Sequence, residues 1–217
     1  LHIWFEAMWL MTISKAGLSA SFFEVYFGMS HRTAFSLLKR LRFHIARIND
    51  ADWSKDRKEP YTIDAMMVKK VARPLGAHNN PVQLLGIRSG KHTHTKPVAG
   101  TASLLMPRMI RRYVPRGSAI RLRERFRYWN LERSSYSVDY VQDPGTLGKI
   151  KHNLLSQYWM NFRRQMLGIP PYVSVKHLEL YAREYEFRDR LRRYSETMLE
   201  KLLSQHPPIC ERMALLE

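Results

Sequence analysis

Cysteine and long apolar runs are scarce in this chain. The single cysteine, Cys210, excludes a disulfide framework and a cysteine-based zinc site within the 217 residues. The longest apolar stretch, Ala7 to Ile13, falls far short of the ~20 residues that a membrane span requires. A glycine-rich phosphate loop, a Ser-His-Asp arrangement and a Cys-His arrangement are also missing. The sequence therefore gives no sign of a membrane span or of nucleophilic catalysis.

Acidic residues are scarce as well. The chain has 36 Lys and Arg against 19 Asp and Glu, which gives a formal net charge of +17. This excess predicts binding to a polyanion, because cationic side chains neutralise phosphates and release counterions. We favour nucleic acid over a membrane surface, since neither end carries a lipid-anchor motif. The 45% hydrophobic content excludes global disorder and supports a folded core.

The first 50 residues predict three short helices. Trp4, Met8 and Met11 recur at helical spacing, and Gly17 interrupts that helix. The run from Ser21 to Glu24 has capping-box spacing, which predicts the start of a second helix that ends at Phe27. After a turn at Gly28, a third helix begins with Ser30 as its N-cap and is expected to continue to about Ile48.

Three helices with a glycine turn before the last form the plan of a helix-turn-helix. The positions that this plan must bury are apolar in the sequence: Phe23, Phe27, Met29, Ala34 and Leu37. The predicted third helix carries a set of cationic candidates for nucleic-acid contact: His31, Arg32, Lys39, Arg40 and Arg42, with Arg47 beyond them. In a helix-turn-helix protein this helix reads DNA bases. The alternative is an ordinary helical hairpin with a basic solvated face.

Residues 50–60 are polar and charged, and we interpret them as a linker. After Pro60 the pattern predicts strands at 61–68, 82–88, 95–101, 117–122 and 137–141, with a helix at 103–113. From about Thr146 the pattern is helical, with a break at 168–171 and a further helical segment at 174–203. We therefore predict an α/β protein with four segments: a helix-turn-helix (1–49), a linker (50–60), an RNase H-like core (61–168) and a C-terminal helical extension (169–217).

Several motifs occur in one order along the chain. They are Trp4-Phe5-Glu6-Ala7, Ser14 to Ala20, Gly28-Met29-Ser30, Ile63 to Val68, Gly117 to Arg123, Lys151 to Trp159 and Ser174 to Leu178. In these motifs the chain resembles the Merlin-type DDE transposases and their bacterial insertion-sequence relatives over nearly its whole length. The resemblance implies an RNase H-like fold, and it implies that Asp64 stands at the first of three metal-binding acids.

The chain departs from that family at the other two acids. By the resemblance, Arg123 replaces the second acid and Ser156 replaces the third, while Asn153 and Asp64 remain as vestiges of the motif. Enzymes of this kind place two divalent cations between clustered carboxylates. We therefore expect a protein without enzymatic activity, metal or other cofactor that keeps the fold and the affinity for nucleic acid.

Arginines are concentrated between residues 108 and 133. Arginine binds phosphate bidentately and stacks on exposed bases, so we predict nucleic-acid contacts at eight of them: Arg108, Arg111, Arg112, Arg116, Arg121, Arg123, Arg125 and Arg127. Phe126 and Trp129 are expected in the core. A second group (Arg183, Arg188, Arg190, Arg192 and Arg193) alternates with acids and is expected to be structural or to face protein. His78, His92 and His94 have a spacing that suits no standard metal site.

These observations lead to one functional hypothesis and two alternatives. Basic charge spread over several segments favours a structural rRNA-binding subunit of an organellar ribosome, in contact with other proteins of that particle and not with a membrane. RNA is favoured and DNA remains open, with the mitochondrion as the expected compartment and the nucleus as the alternative. A transposase-derived DNA-binding regulator would use His31, Arg32 and Thr33. A divergent, still active transposase would need Asp64.

Overall fold

The computed structural model describes residues 2–14, 16–55, 60–68, 82–98, 102–123, 126, 129, 131, 136–141, 155–167, 174–191 and 195–204. In these ranges the helices are α1 (His2–Ile13), α2 (Ala20–Phe27), α3 (His31–Lys55), α4 (Ala102–Tyr113), α5 (Ser156–Leu167), α6 (Val175–Leu191) and α7 (Ser195–Leu203). The strands are β1 (Tyr61–Val68), β2 (Val82–Ser89), β3 (His92–Val98), β4 (Ala119–Arg123) and β5 (Ser137–Val141). None of the described helices is long and apolar enough to cross a membrane.

The chain forms two compact units. One unit contains Leu1–Asp52 together with Asn161–Glu217, and the other contains Trp53–Met160. The first unit, which we call the helical unit, therefore combines the predicted helix-turn-helix segment with the predicted C-terminal extension. The second, which we call the sheet unit, contains the five strands and α4. The division falls inside α3 and inside α5, so both helices contribute to both units.

The helical unit has an apolar core built from α1, α2, α3, α6 and α7. Phe23 and Ala34 are fully buried in it, and Phe27 and Met29 pack against it while partly exposed. Gly28 has a φ of 62°, which places the C-cap of α2 in the left-handed region that glycine tolerates best. The turn predicted at Gly28 is therefore present.

The helix boundaries differ from the prediction at two points. The N-cap of α2 is Ser19, whose side chain accepts a hydrogen bond from the amide of Phe22, so the capping box predicted at Ser21 is wrong. At α3 the predicted N-cap is confirmed, because the amide of Thr33 donates to Oγ of Ser30 at 3.2 Å. That helix continues to Lys55, so residues 50–55 of the predicted linker are helical.

Ion pairs within the helical unit explain the longer α3. Asp50 accepts a hydrogen bond from Arg183 at 2.7 Å, and Asp52 lies 2.7 Å from Arg190 and 2.8 Å from Lys201. The polar residues that made this segment look like a linker are therefore the partners of cations on α6 and α7. Periodicity along a single segment contains no information about such distant partners.

The sheet unit contains a five-stranded sheet in the order β3-β2-β1-β4-β5. The pairs β1–β2 and β2–β3 are antiparallel, and the pairs β1–β4 and β4–β5 are parallel. Met106 and Ile110 of α4 are fully buried in the same apolar cluster as Ile63 and Leu122 of the sheet. Phe126 and Trp129 also belong to that cluster, with their rings stacked 4.2 Å apart, which confirms their predicted place in the core.

The third strand begins earlier than predicted. It starts at His92 rather than Thr95, because Ser89 pairs with His92 across the two-residue turn Gly90-Lys91. Gly90 has a φ of 56°, as the first position of a tight hairpin turn requires. The polar residues at the start of this strand concealed the hairpin in the sequence pattern.

Candidate functional site

Asp64 is the centre of the candidate site in the sheet unit. It lies in β1 and is 1% exposed. Its Oδ1 accepts a hydrogen bond from the amide of Ala65 at 2.9 Å. Its Oδ2 accepts one from a guanidinium nitrogen of Arg123 at 3.0 Å and one from the indole Nε1 of Trp159 at 3.3 Å. Both oxygens of this buried carboxylate thus have hydrogen-bond donors, and one donor is a full cation.

The sheet register places Arg123 beside Asp64. The strands β1 and β4 are parallel, and Ile63 pairs with Leu122, so Asp64 and Arg123 each lie one residue further along. Because side chains alternate along a strand, the two side chains emerge on the same face of the sheet. The Arg123 side chain is 12% exposed. The pair is therefore a largely buried salt bridge.

Gly86 makes room for the third partner of this carboxylate. It lies in β2 directly opposite Asp64. A Cβ atom at this position would lie 2.7 Å from Cζ2 of Trp159, closer than real Cβ contacts, and 3.0 Å from Cδ1 of Leu155, tighter than most of them. The indole can lie against the sheet only because residue 86 has no side chain. The sequence analysis did not identify Gly86, although a glycine inside a strand is itself a sign of close approach.

Residues 63–189 match the family model of the ISXO2-like transposase domain, which is more than half of the chain. The chain therefore belongs to this family of DDE transposase relatives. Its mixed α/β architecture with a five-stranded sheet is compatible with such a domain. No curated protein matches the chain significantly, and no solved structure does.

The described side chains around Asp64 do not supply the clustered carboxylates that the two divalent cations of a DDE transposase require. Among the described residues, no group of three or more His, Cys, Asp or Glu side chains is placed to hold a metal ion. Asp64 is paired with the guanidinium of Arg123, and a cation in that place repels a metal ion. The neutral hydroxyl of Ser156 at the start of α5 brings no negative charge. Among the residues that the structure describes, the candidate site therefore presents one carboxylate, already paired with a guanidinium, where two cations require several carboxylates.

The predicted contact residues of α3 divide between its two faces. His31, Arg32 and Arg40 are exposed, and Lys39 is partly buried with its ammonium 5.9 Å from the centre of the Phe43 ring. Arg32, Lys39, Arg40 and the exposed Arg47 lie at helical spacing along one side of α3. We call these four residues the α3 basic face. This face has the charge and the exposure that a phosphate contact requires.

Arg42 does not belong to that face, so its prediction as a nucleic-acid contact is wrong. It is 4% exposed, and its Nε donates to Glu184 at 2.7 Å while a terminal nitrogen donates to the carbonyl of Leu18 at 2.8 Å. Its guanidinium also lies 4.0 Å from the centre of the Tyr181 ring. The charge pattern alone could not show that this arginine points into the core.

The arginines of α4 form a second exposed group. Arg108, Arg111 and Arg112 are spaced i, i+3 and i+4, so they share one side of the helix, and Arg116 lies beyond the end of α4 in the turn before β4. We call these four exposed residues the α4 basic face. Burial raises the pKa of Tyr136, and the charges of Arg111 and Arg116 partly oppose that rise. Both cations therefore act near the start of β5.

The remaining predicted contacts have different positions. Arg121 is exposed and its Nε donates to Asp139 at 3.2 Å, in a pair whose side chains are 45% and 66% exposed. Such an exposed pair is weak and can open to meet a phosphate. Arg123 is committed to Asp64. Arg125, Arg127 and Asn153 lie outside the described residues.

The C-terminal arginine group is structural, as predicted, for its three described members. Arg183 pairs with Glu186 at 3.0 Å, Arg188 with Glu184 at 2.9 Å and Arg190 with Asp52 at 2.7 Å. Burial lowers the pKa of Arg183, but the neighbouring carboxylates of Glu186 and Asp50 raise it by a larger amount, so the net change is an increase. Burial also lowers the pKa of Arg190. The carboxylate of Asp52 acts to raise that pKa, but the net change is a decrease. Arg192 and Arg193 lie outside the described residues.

The histidines of β3 are part of the sheet unit. His94 is 2% exposed, and its ring centre lies 4.0 Å from that of Tyr113 and 5.5 Å from that of Trp53. His92 is partly buried at the start of the same strand. His78 lies outside the described residues. The surroundings of His94 are those of an aromatic core position.

Proposed function

We propose that this protein is a nucleic-acid-binding protein without enzymatic activity, descended from a DDE transposase. One observation carries the proposal: Arg123 occupies the position of the second metal-binding acid in the resemblance and forms a salt bridge with Asp64, the first. The guanidinium of Arg123 neutralises the charge of the Asp64 carboxylate, as a metal ion would do in an active transposase. On this proposal, the pair stabilises a former active centre and does not catalyse phosphoryl transfer.

The order of elements supports an RNase H-like core of Merlin type for this domain. Three strands are followed by α4, two further strands and closing helices, with the order β3-β2-β1-β4-β5 in the sheet. The N-terminal helices support a helix-turn-helix, because α2 and α3 are joined by a glycine in the left-handed region. Both assignments are part of the proposal.

Two exposed basic surfaces support binding to nucleic acid. The α3 basic face and the α4 basic face lie in different units of the chain, and the net charge is +17. Several separate cationic surfaces suit a folded RNA better than one groove of a duplex, because a folded RNA presents phosphates in many directions. We therefore propose a structural rRNA-binding subunit of an organellar ribosome, with the mitochondrion as its compartment.

An apolar surface of the helical unit supports contact with other proteins of the particle. Phe5, Trp9 and Ile13 are spaced four residues apart on α1, and each is nearly half exposed. Val25 on α2 is 83% exposed, and Tyr26 on the same helix donates a hydrogen bond to Glu6 of α1 at 2.7 Å. Large apolar side chains grouped in this way are typical of a protein interface.

The start of α3 favours a second candidate function. His31, Arg32 and Thr33 are all exposed in its first turn, where a recognition helix meets DNA bases. The protein would then be a transposase-derived DNA-binding regulator in the nucleus. This candidate requires base-specific binding by the helical unit.

Native purification tests the first proposal against the second. The protein is isolated from its own cells at low salt, separated by gradient sedimentation, and the accompanying nucleic acid is sequenced. If the protein comigrates with one large RNA in a one-to-one molar ratio, the result supports the ribosomal proposal. Recovery of the protein with defined DNA sites supports the regulator, and recovery of free protein contradicts both.

A cleavage assay tests the loss of catalysis. The purified chain is incubated with DNA and with Mg²⁺ or Mn²⁺, and Asp64→Asn is the matched variant. We expect no cleavage from either protein. Metal-dependent cleavage that the variant loses would overturn the proposal in favour of an active transposase.

A further inference from the structure

The helical unit contains a cavity of about 680 Å³ that the proposed function does not use. Its wall includes Ser14 after α1, Asn161, Arg164 and Gln165 of α5, and Tyr185 and Asp189 of α6. The three α5 residues are spaced i, i+3 and i+4, so one side of that helix faces the cavity. The volume lies within the range of small-molecule sites, roughly 300 to 1,000 Å³.

Gln165 indicates that the cavity takes a polar ligand. It is 5% exposed, and its Nε2 has no hydrogen-bond partner among the described residues. An unpaired buried amide donor is destabilising, and proteins rarely keep one without a reason. Rotation of the Gln165 amide towards the cavity would bring this donor to an acceptor atom of a ligand.

The other walls restrict the chemistry of that ligand. Asp189 presents a carboxylate, which accepts a hydrogen bond from Tyr185 at 3.3 Å. Arg188 also lines the cavity, and its guanidinium is held in the wall because it donates to the carbonyl of Ser14 at 2.6 Å and pairs with Glu184. Arg164 is exposed. The cavity thus combines an amide donor, a carboxylate acceptor, an aromatic ring and an accessible cation.

We propose that this cavity takes one unstacked nucleotide of a bound single strand, an inference that rests on the proposed function. Every nucleobase carries both acceptors and donors on its Watson–Crick edge, as a wall with Gln165 and Asp189 requires. The phosphate of the same nucleotide contacts Arg164.

Two short single-stranded RNAs test the inference with the full chain. One carries 2-aminopurine at its centre, whose fluorescence reports unstacking, and the other carries an abasic site there. We expect the fluorescence to change on binding and the base-containing strand to bind about tenfold more tightly than the abasic strand. Gln165→Leu should remove this preference, and it should keep the fold, because it deletes only an unpaired polar group.

Two neighbouring arginines on α5 supply a matched control. Both Arg163 and Arg164 are exposed, and Arg164 alone of the two lines the cavity. Arg164→Ala should weaken binding of both strands, whereas Arg163→Ala should leave the affinity for each strand close to that of the unmodified chain. Binding of both strands with equal affinity, together with unchanged fluorescence, overturns the inference and leaves the proposed function standing. Failure of the unmodified chain to bind either strand or a duplex at low salt overturns both.

Discussion

Arg123 donates a hydrogen bond to Oδ2 of Asp64 at 3.0 Å from the neighbouring parallel strand. Asp64 is 1% exposed, and the indole of Trp159 donates to the same oxygen. A buried carboxylate of this kind is tolerated because its charge is paired and its oxygens are bonded. The relationship explains how a transposase-type sheet remains folded with an acid in its interior.

Removal of Arg123 should destabilise the sheet unit. Arg123→Met leaves the Asp64 carboxylate buried without its cation, and we expect a loss of about 3 kcal/mol in the free energy of unfolding. Urea denaturation measures it. The double variant Asp64→Asn, Arg123→Met should recover most of the loss, since it removes both charges. Equal instability of the single and double variants would contradict the charge-pairing argument.

The same substitution at two arginines of α3 should affect stability at one residue and binding to nucleic acid at the other. Arg42→Ala removes a buried ion pair with Glu184 and should cost about 3 to 5 kcal/mol of stability. Arg40→Ala alters an exposed side chain and should change stability by less than about 0.5 kcal/mol while weakening binding to nucleic acid. Thermal unfolding and a binding titration distinguish the two effects. A stable Arg42→Ala variant with weakened binding would restore the original prediction for that residue.

A single methyl group at residue 86 should be costly. Gly86→Ala places a Cβ atom 2.7 Å from the Trp159 ring, so the indole or the strand must move. We expect a loss of about 1 to 3 kcal/mol from overpacking. Gly86→Ala combined with Trp159→Ala is the check, because the smaller side chain at 159 removes the collision. The cost of the glycine substitution should then become much smaller.

The stability of the helical unit should fall in acid through His44. Burial lowers the pKa of His44, and its Nε2 donates to the carbonyl of Leu202 at 2.8 Å. Because its pKa in the folded state lies below the unfolded value of about 6.5, the unfolded chain binds more protons in that window. Stability is therefore complete above that value and decreases as the pH falls towards the folded pKa.

The matched variant for this pH dependence is His44→Gln, which does not titrate. The free energy of unfolding of the wild-type protein, minus that of the variant, should decrease as the pH is lowered from 8 to about 5. Guanidinium denaturation at several pH values measures this difference. A difference that stays constant with pH would show that His44 does not couple folding to protons.

Local patterns predicted much of the architecture. Alternation located β1 and β5 at their observed residues, and the glycine at residue 28 together with Ser30 located the turn and the start of α3. The predicted ends of β4 and α4 lie within two residues of the observed ends. These features depend on residues close together in the chain, so the sequence contains enough information to identify them.

Features that depend on distant partners were missed. The extension of α3 to Lys55 is stabilised by cations of α6 and α7, more than 100 residues away in the chain. The role of Gly86 depends on an indole at residue 159. The sequence motif pointed to Asp64 and Arg123 separately, but their direct contact depends on the register of β1 and β4.

The sequence by itself determined the excess of positive charge, the family motifs and the presence of Arg123 and Ser156 where the resemblance expects acids, because each is a property of residue identity. Only the tertiary structure decided which arginines face solvent. Arg40 and Arg42 are two residues apart with the same charge, yet one is exposed and the other is buried against Glu184. The physical reason is that a helix turns about 100° per residue, so their side chains point in directions about 160° apart, and only packing determines which direction is the core.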